Sequence, residues 1–443
     1  MALFGTSGIR DICPRNLDIG SAFELGQTAA KFSKKIVVGY DGRPTGQMLL
    51  NALIAGITQQ KSNCLNIGIC TTPTLCWYTK ITKSLGIMIT ASHNPLEYNG
   101  FKIFQNGLEA SAELEKKIEK SLKNTKKRPK YFEVGEIKIE DKQAIQRHFE
   151  ILKRNFDFAK IKKENLKILI DCANLAASIT SVSILEKFGI TLIKKNCEIG
   201  KKPDRKIEPN EESLKNLTKI KEKFDFAIAH DGDADRAIIL DQNANMIGLD
   251  VQLAIASEYF LKNFSEKKIV STIESSLILK EVVKKYNAQL YLSAVGSRAV
   301  AQLMRKTSAP FGGEPCGEYI FKNSVGCPDG IATALLFCQI YINEGKLSKI
   351  KEKYKVYPIK RIKIKVEKEE KKIFMQKIEK LWPFSTKIKI DGLRAEEEWG
   401  WILVRPSGTE DYIRITIEAY KEKDLEENLE RILQVIRDVI GRR

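Results

Sequence analysis

Long apolar runs are absent from this chain. The longest, residues 331–342, spans 12 positions and contains Gln339, well short of the roughly 18–20 residues of a membrane-crossing helix. The opening Met1-Ala2-Leu3-Phe4-Gly5 has no basic stretch followed by an apolar one, the layout of a secretory leader. A cytoplasmic location with no membrane association is therefore expected. Histidine is scarce: His93, His148 and His230 are the whole supply, so a histidine-built metal site is not expected. The nine cysteines are spread singly and none forms C-x-x-C. That argues against a zinc cluster or a disulfide framework and for reduced thiols.

What is present is ordinary in bulk and unusual in charge. Hydrophobic residues make up 43% and charged residues 29% of 443 positions, the composition of a globular protein too long for one core, hence about three or four domains. The formal charge of +18 invites a nucleic-acid reading. The lysines are scattered, however, and the cluster at 360–372 alternates with Ile359, Ile362, Ile364 and Val366, the pattern of a strand with one wet face. Nucleic-acid binding is thus not expected. A basic field also suits a phosphorylated small substrate, which it would steer inward.

Along the chain, apolar strand-like runs at 35–40, 63–69 and 85–89 alternate with helical patterns at 16–34, 47–60 and 73–79. The alternation resumes from 166 and again from 250. This predicts β-α-β units with mainly parallel sheets. From about residue 355 the pattern changes to strands at 359–366, 399–404 and 413–420 followed by a helix at 424–440, an α+β layout with an antiparallel sheet. The expected fold is three consecutive α/β domains with mixed, mainly parallel sheets and a C-terminal α+β domain. The boundaries fall at 1–145, 146–247, 248–354 and 355–443.

The chemistry lies in loops. Thr90-Ala91-Ser92-His93-Asn94-Pro95 puts a serine at the tip of a loop leaving a buried strand. His93 is adjacent, and adjacent residues of an extended chain point to opposite sides, so a serine–histidine hydrolase pair is not expected. Asp231-Gly232-Asp233-Ala234-Asp235-Arg236 lies between two apolar strands. Spaced by two in an extended segment, the three carboxylates share a face, and like charges so placed need a cation between them. An all-oxygen set suits Mg²⁺ before Zn²⁺. Gly5-Thr6-Ser7-Gly8-Ile9-Arg10 could form a backbone nest for phosphate. Lys102 sits in a short strand, where a surface lysine on a sheet edge is the plain alternative. In Pro310-Phe311-Gly312-Gly313-Glu314-Pro315-Cys316-Gly317-Glu318, glycines around two acids can lie against a polyol. Arg405-Pro406-Ser407-Gly408-Thr409-Glu410 offers a guanidinium, two hydroxyls and a glycine in one tight loop, the donors a phosphate needs.

The five loops, in this order, closely resemble those of the α-D-phosphohexomutases, the superfamily of phosphoglucomutase, phosphomannomutase and phosphoglucosamine mutase. The resemblance runs from residue 5 to about 420. It implies four domains around one cleft and a phosphosugar mutase moving phosphate between O6 and O1 of an aldohexose through a 1,6-bisphosphate. It implies Ser92 as the phosphoserine and one Mg²⁺ held by Ser92, Asp231, Asp233 and Asp235. Arg10, His93, Lys102 and Arg236 would be catalytic, Gly313, Glu314, Cys316 and Glu318 would meet the sugar, and Arg405, Ser407, Gly408 and Thr409 would bind the distal phosphate. Glucose or glucosamine 1,6-bisphosphate would serve as intermediate and activator, and the molecule would be a monomer or homodimer. The sequence departs from the pattern where relatives read Glu-x-Ser-Gly-His: Cys316 replaces the serine and Glu318 the histidine. Val295-Gly296-Ser297-Arg298 resembles the Val-Gly-Asp-Arg of phosphoglucosamine mutases, and Gly-Glu-Pro-Cys-Gly-Glu looks like archaeal members. Glucosamine phosphate is therefore expected ahead of glucose or mannose phosphate. The rival readings are an aspartyl-phosphate phosphatase, suggested by the acidic loop, and a non-catalytic basic RNA-binding protein.

Overall fold

Strand-forming runs of Ile, Val and Leu pair as the alternation predicts. The computed structural model describes residues 8–122, 133–408 and 411–441. It divides into two compact units, one of residues 1–252 with 316–351 and one of 253–315 with 352–443. The basic segment 123–130 lies outside the described residues.

The first unit holds two mixed sheets. In one, the order is Ile9–Ile12, Tyr98–Gln105, Leu85–Ile89, Lys35–Tyr40, Asn63–Ile69, Ile137–Ile139. Tyr98–Gln105 is antiparallel to both its neighbours and the remaining pairs are parallel. The strand carrying Lys102 is therefore paired on both sides. The edge position considered from the sequence is overturned, because residues 9–12, too short to read as a strand, cover its outer side. The second sheet runs Ala237–Leu240, Phe226–His230, Lys167–Asp171, Thr191–Lys195, parallel except for the first pair. Helices Ile19–Ala29 and Gly46–Gln59 pack closely because Gly26 and Gly56 lack a Cβ. A methyl on either would overlap a backbone carbonyl of the other helix. A fully buried chain of hydrogen bonds runs from Thr74 Oγ1 through His148 to Asp329 Oδ2, at 2.8 and 3.0 Å. Sealed from solvent and joining three helical segments, it is a structural network.

The second unit contains the parallel strands Gln289–Ser293, Lys268–Thr272 and Phe311–Gly313. It also holds the antiparallel sheet Ile359–Lys365, Tyr412–Ala419, Gly400–Pro406, Leu393–Glu397. Mainly parallel sheets followed by an all-antiparallel C-terminal one are the expected fold class. Among the elements of this unit that escaped the sequence reading are the strand Leu393–Glu397, charged and interrupted by Arg394, and the helices Ser297–Thr307 and Lys371–Lys380. The lysine cluster at 360–372 is accordingly strand only as far as Lys365.

Glu258, 7% exposed, is the polar anchor of this unit. Its carboxylate accepts from Lys285 Nζ at 2.8 Å, Tyr286 Oη at 2.7 Å and the Tyr354 hydroxyl. Burial opposes ionisation, but these donors prevail and bring its pKa down to about 2. An unfolded glutamate titrates near 4.3. The stabilisation is therefore complete above about pH 5 and lost as the pH falls toward 2. Glu258→Gln is expected to cost about 1–2 kcal/mol at pH 7, after allowing for solvent screening of the lysine. The difference from wild type should shrink steadily in urea melts repeated from about pH 5 down to about pH 2.5.

Candidate active site

The loops with chemistry leave the C-terminal ends of parallel strands, where open α/β sheets bind their ligands. Ser92 follows Leu85–Ile89 and the acidic loop follows Phe226–His230. Ser92 takes φ +49° and is buried. This left-handed backbone breaks the extended geometry assumed from the sequence. His93 Nδ1 consequently approaches Ser92 Oγ, at 3.4 Å, instead of pointing away. The principal partner of the hydroxyl is Asp231, whose Oδ2 accepts from Ser92 Oγ at 2.7 Å.

The three aspartates converge, but not along a strand. Residues 231–235 form a turn with Ala234 at φ +53°, and candidate ligand oxygens of Asp231, Asp233 and Asp235 lie within 4.8 Å of one another. Gly232 has no alternative there: a Cβ would overlap the Ser92 carbonyl. Lys102, 4% exposed, sends Nζ to Asp233 Oδ2 and Asp235 Oδ2, each at 2.7 Å. Burial disfavours its ammonium, yet the two carboxylates hold its pKa above the ordinary lysine range. The acids separate in turn. Burial and Asp233 push Asp231 up, whereas Lys102 overcomes burial and holds Asp233 down. Arg236 gives its charge to Glu318, with Nε and Nη2 at 3.0 and 2.9 Å from Oε1. Lys102 pairs directly with two of the carboxylates, and Arg236 and Arg10 act on Asp231 and Asp233 from farther away. Asp233 Oδ1 and Asp235 Oδ1 are buried with no hydrogen-bond partner among the described residues. Oxygen-only donors that converge, two of them with an open buried oxygen, fit a hard divalent cation such as Mg²⁺. Arg10 Nη1 donates to Asn94 Oδ1 at 3.1 Å. Burial, then Arg236, Arg10 and Lys102, bring the His93 pKa down to about 3, so its imidazole is neutral.

Glu318 is thus the ion-pair partner of Arg236 in the first unit. Cys316 lies close enough to act on the Arg236 charge. Glu314, in the second unit, accepts from the backbone nitrogen of Gly296 at 3.0 Å, so the loop at 295–298 and the glutamate meet. Asp391 accepts from Val295 N at 3.3 Å and Arg405 Nε at 2.9 Å, and Glu274 takes Arg405 Nη1 at 3.1 Å. Gly313 ends a buried strand. Ser407 is buried, with its nitrogen on the Tyr412 carbonyl at 2.9 Å, and Gly408 is exposed. Thr409 and residues 5–7 lie outside the described residues.

Two residues essential to this geometry went unread in the sequence. Arg43, 1% exposed, pairs with Asp41 at 2.9 Å and donates to the carbonyls of Ser92, Asn94, Pro95 and Tyr98 at 2.5–3.0 Å. It ties down the whole serine loop. Arg205 pairs with Asp171 at 2.9 Å and donates to the His230 carbonyl at 2.6 Å, fixing the start of the acidic loop. A polar turn with an aspartate and an arginine two apart was the only available signal for Arg43, and surface turns look the same.

Comparison with known proteins is consistent along the chain. The phosphoglucomutase/phosphomannomutase alpha/beta/alpha domains I, II and III match residues 1–129, 146–245 and 249–357, and the C-terminal domain of that family matches 362–435. The chain belongs to the phosphoglucomutase/phosphomannomutase family. It is a phosphohexomutase, an isomerase of carbohydrate metabolism. The mutase is 37% identical to a phosphoglucosamine mutase of Methanococcus maripaludis, over 97% of each chain, and 36% identical to one of Methanocaldococcus jannaschii, over 99% of each. Its fold matches a phosphoglucomutase/phosphomannomutase family protein of Burkholderia thailandensis with TM-score 0.87 at 21% identity, covering 99% of the mutase and 97% of that chain. An Aspergillus fumigatus N-acetylphosphoglucosamine mutase in complex with GlcNAc-6P and magnesium matches with TM-score 0.66 at 15% identity, over 99% and 96%.

Arg43→Lys replaces a planar five-donor fork with a point charge. It should lower kcat at least tenfold with KM within about threefold, while circular dichroism at 25 °C stays that of the wild-type mutase.

Proposed function

We propose that the mutase interconverts glucosamine 6-phosphate and glucosamine 1-phosphate, with Ser92 carrying the phosphoryl group and a glucosamine 1,6-bisphosphate as intermediate. The reading rests on one observation above the others: the only hydroxyl bonded to the buried aspartate triad among the described residues, apart from Thr72, is that of Ser92. The sugar follows from the names of relatives at 36–37% identity along the whole length. A phosphatase of the aspartyl-phosphate type is disfavoured because the relatives similar along the whole length are named mutases.

Asp231, Asp233 and Asp235, with an oxygen on Ser92, would hold Mg²⁺, which when bound supplies charge neutralisation for the transferring phosphoryl group. In the forward half-reaction a free hydroxyl of the phosphosugar attacks phosphorus on phosphorylated Ser92. The bond from phosphorus to Ser92 Oγ breaks, the proton of the attacking hydroxyl ends on Ser92 Oγ, and the bisphosphate is released from the serine. After the intermediate turns over, Ser92 Oγ attacks the other phosphate. Its proton has an acceptor in place, because Oγ–H already donates to Asp231 Oδ2. Lys102, Arg10 and Arg236 share the developing negative charge, and neutral His93 orients the serine. Arg405 and Ser407, with Gly408 and Thr409, bind the phosphate that does not react, and Glu314 accepts from sugar hydroxyls.

Ser92→Ala should lower turnover at least 10³-fold and abolish labelling by phosphate from a ³²P bisphosphate. Glucosamine 6-phosphate, glucose 1-phosphate and mannose 1-phosphate assayed side by side should give the largest kcat/KM for glucosamine phosphate. A win for glucose or mannose phosphate would assign the mutase to neutral sugars. Added Mg²⁺ should raise the melting temperature of the wild type but not that of Asp233→Asn, and EDTA should remove both that shift and the activity.

A further inference from the structure

The lysines at 368–372 take no part in the sheet or in the chemistry above, yet they line a cavity of about 540 Å³. Its walls are Lys368, Lys371 and Lys372 at the start of the helix Lys371–Lys380, with Lys389 opposite. Met375, Leu393 and Pro406 supply apolar surface. The size suits a small organic ligand. The cavity adjoins the phosphate loop from the side of the helix layer, with Pro406 in its lining. Side chains alternate along Gly400–Pro406. Ile402 and Val404 pack with Phe374 and Ile378 of the helix layer; Pro406 shares their face, and Arg405 points the other way.

The charges are unevenly committed. Glu379 pairs with Lys389, and Asp391 holds Arg405. Lys368 and Lys372 pair with no carboxylate among the described residues and are exposed. Lys371 is 7% exposed; its Nζ donates to the Ser407 carbonyl at 3.0 Å and lies 4.0 Å from Asp411 Oδ1. A buried ammonium, two uncommitted lysines and an apolar wall describe a site for a phosphate group attached to a small organic body.

We propose that this cavity is a second, regulatory site for a small phosphorylated or diphosphorylated ligand, distinct from the catalytic phosphate loop. Its phosphate would draw on Lys371, and its organic body would lie near Asp391, which lines the cavity. These two groups hold Ser407 and Arg405 from behind. Binding there would therefore shift affinity for the distal phosphate of the substrate and leave the chemical step alone.

Inorganic pyrophosphate is the probe, titrated calorimetrically into the full chain in metal-free buffer. The hexose phosphate selected by the turnover assay is held at saturation to fill the catalytic site. Wild type should retain one pyrophosphate site under these conditions. Lys368→Gln with Lys372→Gln should weaken it at least tenfold, with kcat unchanged in the absence of pyrophosphate. Lys284→Gln with Lys306→Gln removes the same charge from two other exposed helices of this unit and should change it less than twofold. No binding at saturating substrate would overturn the proposal. So would equal losses in the two double variants, which would reduce the effect to net charge, or unchanged binding in the first.

Discussion

Three carboxylates buried in one turn are the constraint around which the first unit is arranged. Asp231, Asp233 and Asp235 repel one another, and each loses hydration on burial. Lys102 answers two of them directly, and the strand that carries it must be held on both sides to bring a lysine so deep. That explains why residues 9–12 pair with its outer edge. The close approach that lets Ser92 reach Asp231 also explains Gly232, whose missing side chain is where the serine loop's backbone lies.

A common device supports each loop. Arg43 lies under the serine loop and Arg205 under the start of the acidic loop, each paired with an aspartate from a neighbouring strand end. In the second unit Arg394, 2% exposed, bonds to the carbonyls of Ile273 and Ser275 and lies 4.0 Å from the Trp401 ring centroid. This fixes the segment bearing Glu274, a partner of Arg405. Irregular loops expose carbonyls that no strand or helix satisfies. A guanidinium, with five donors in one plane, satisfies several at once and keeps its charge even when buried. Burial brings the Arg394 pKa down to about 10, still far above neutral.

The sequence was most legible where pattern and chemistry are local. Strands at 35–40, 63–69 and 85–89 were placed to the residue, because uninterrupted β-branched runs bounded by turns have few other readings. The serine and the aspartates stood out in their loops, whereas Lys102 stood out only through the family resemblance. What stayed hidden depends on long-range pairing. Arg43 reads as a turn residue until residues 92–98 fold over it, and nothing local in the sequence pairs Glu318 with Arg236. The aspartates were correctly grouped for a mistaken reason, since a left-handed Ala234, and not an extended strand, brings them together. Leu393–Glu397 was missed because its charged residues form pairs that only the folded sheet supplies.

The bond between Ser92 and Asp231 spans 139 positions of chain. At roughly 5–20 residues per second of synthesis, the serine loop emerges about 7–28 s before its acidic partner exists. Arg43 and Asp41, both upstream of it, are already available to satisfy its carbonyls during that interval. The aspartates, by contrast, appear only after Lys102 has been made, so the costly charges are the last to arrive. Chain order thus lets the nascent protein form its nucleophile loop first and enclose its acids only when their counter-charge is waiting.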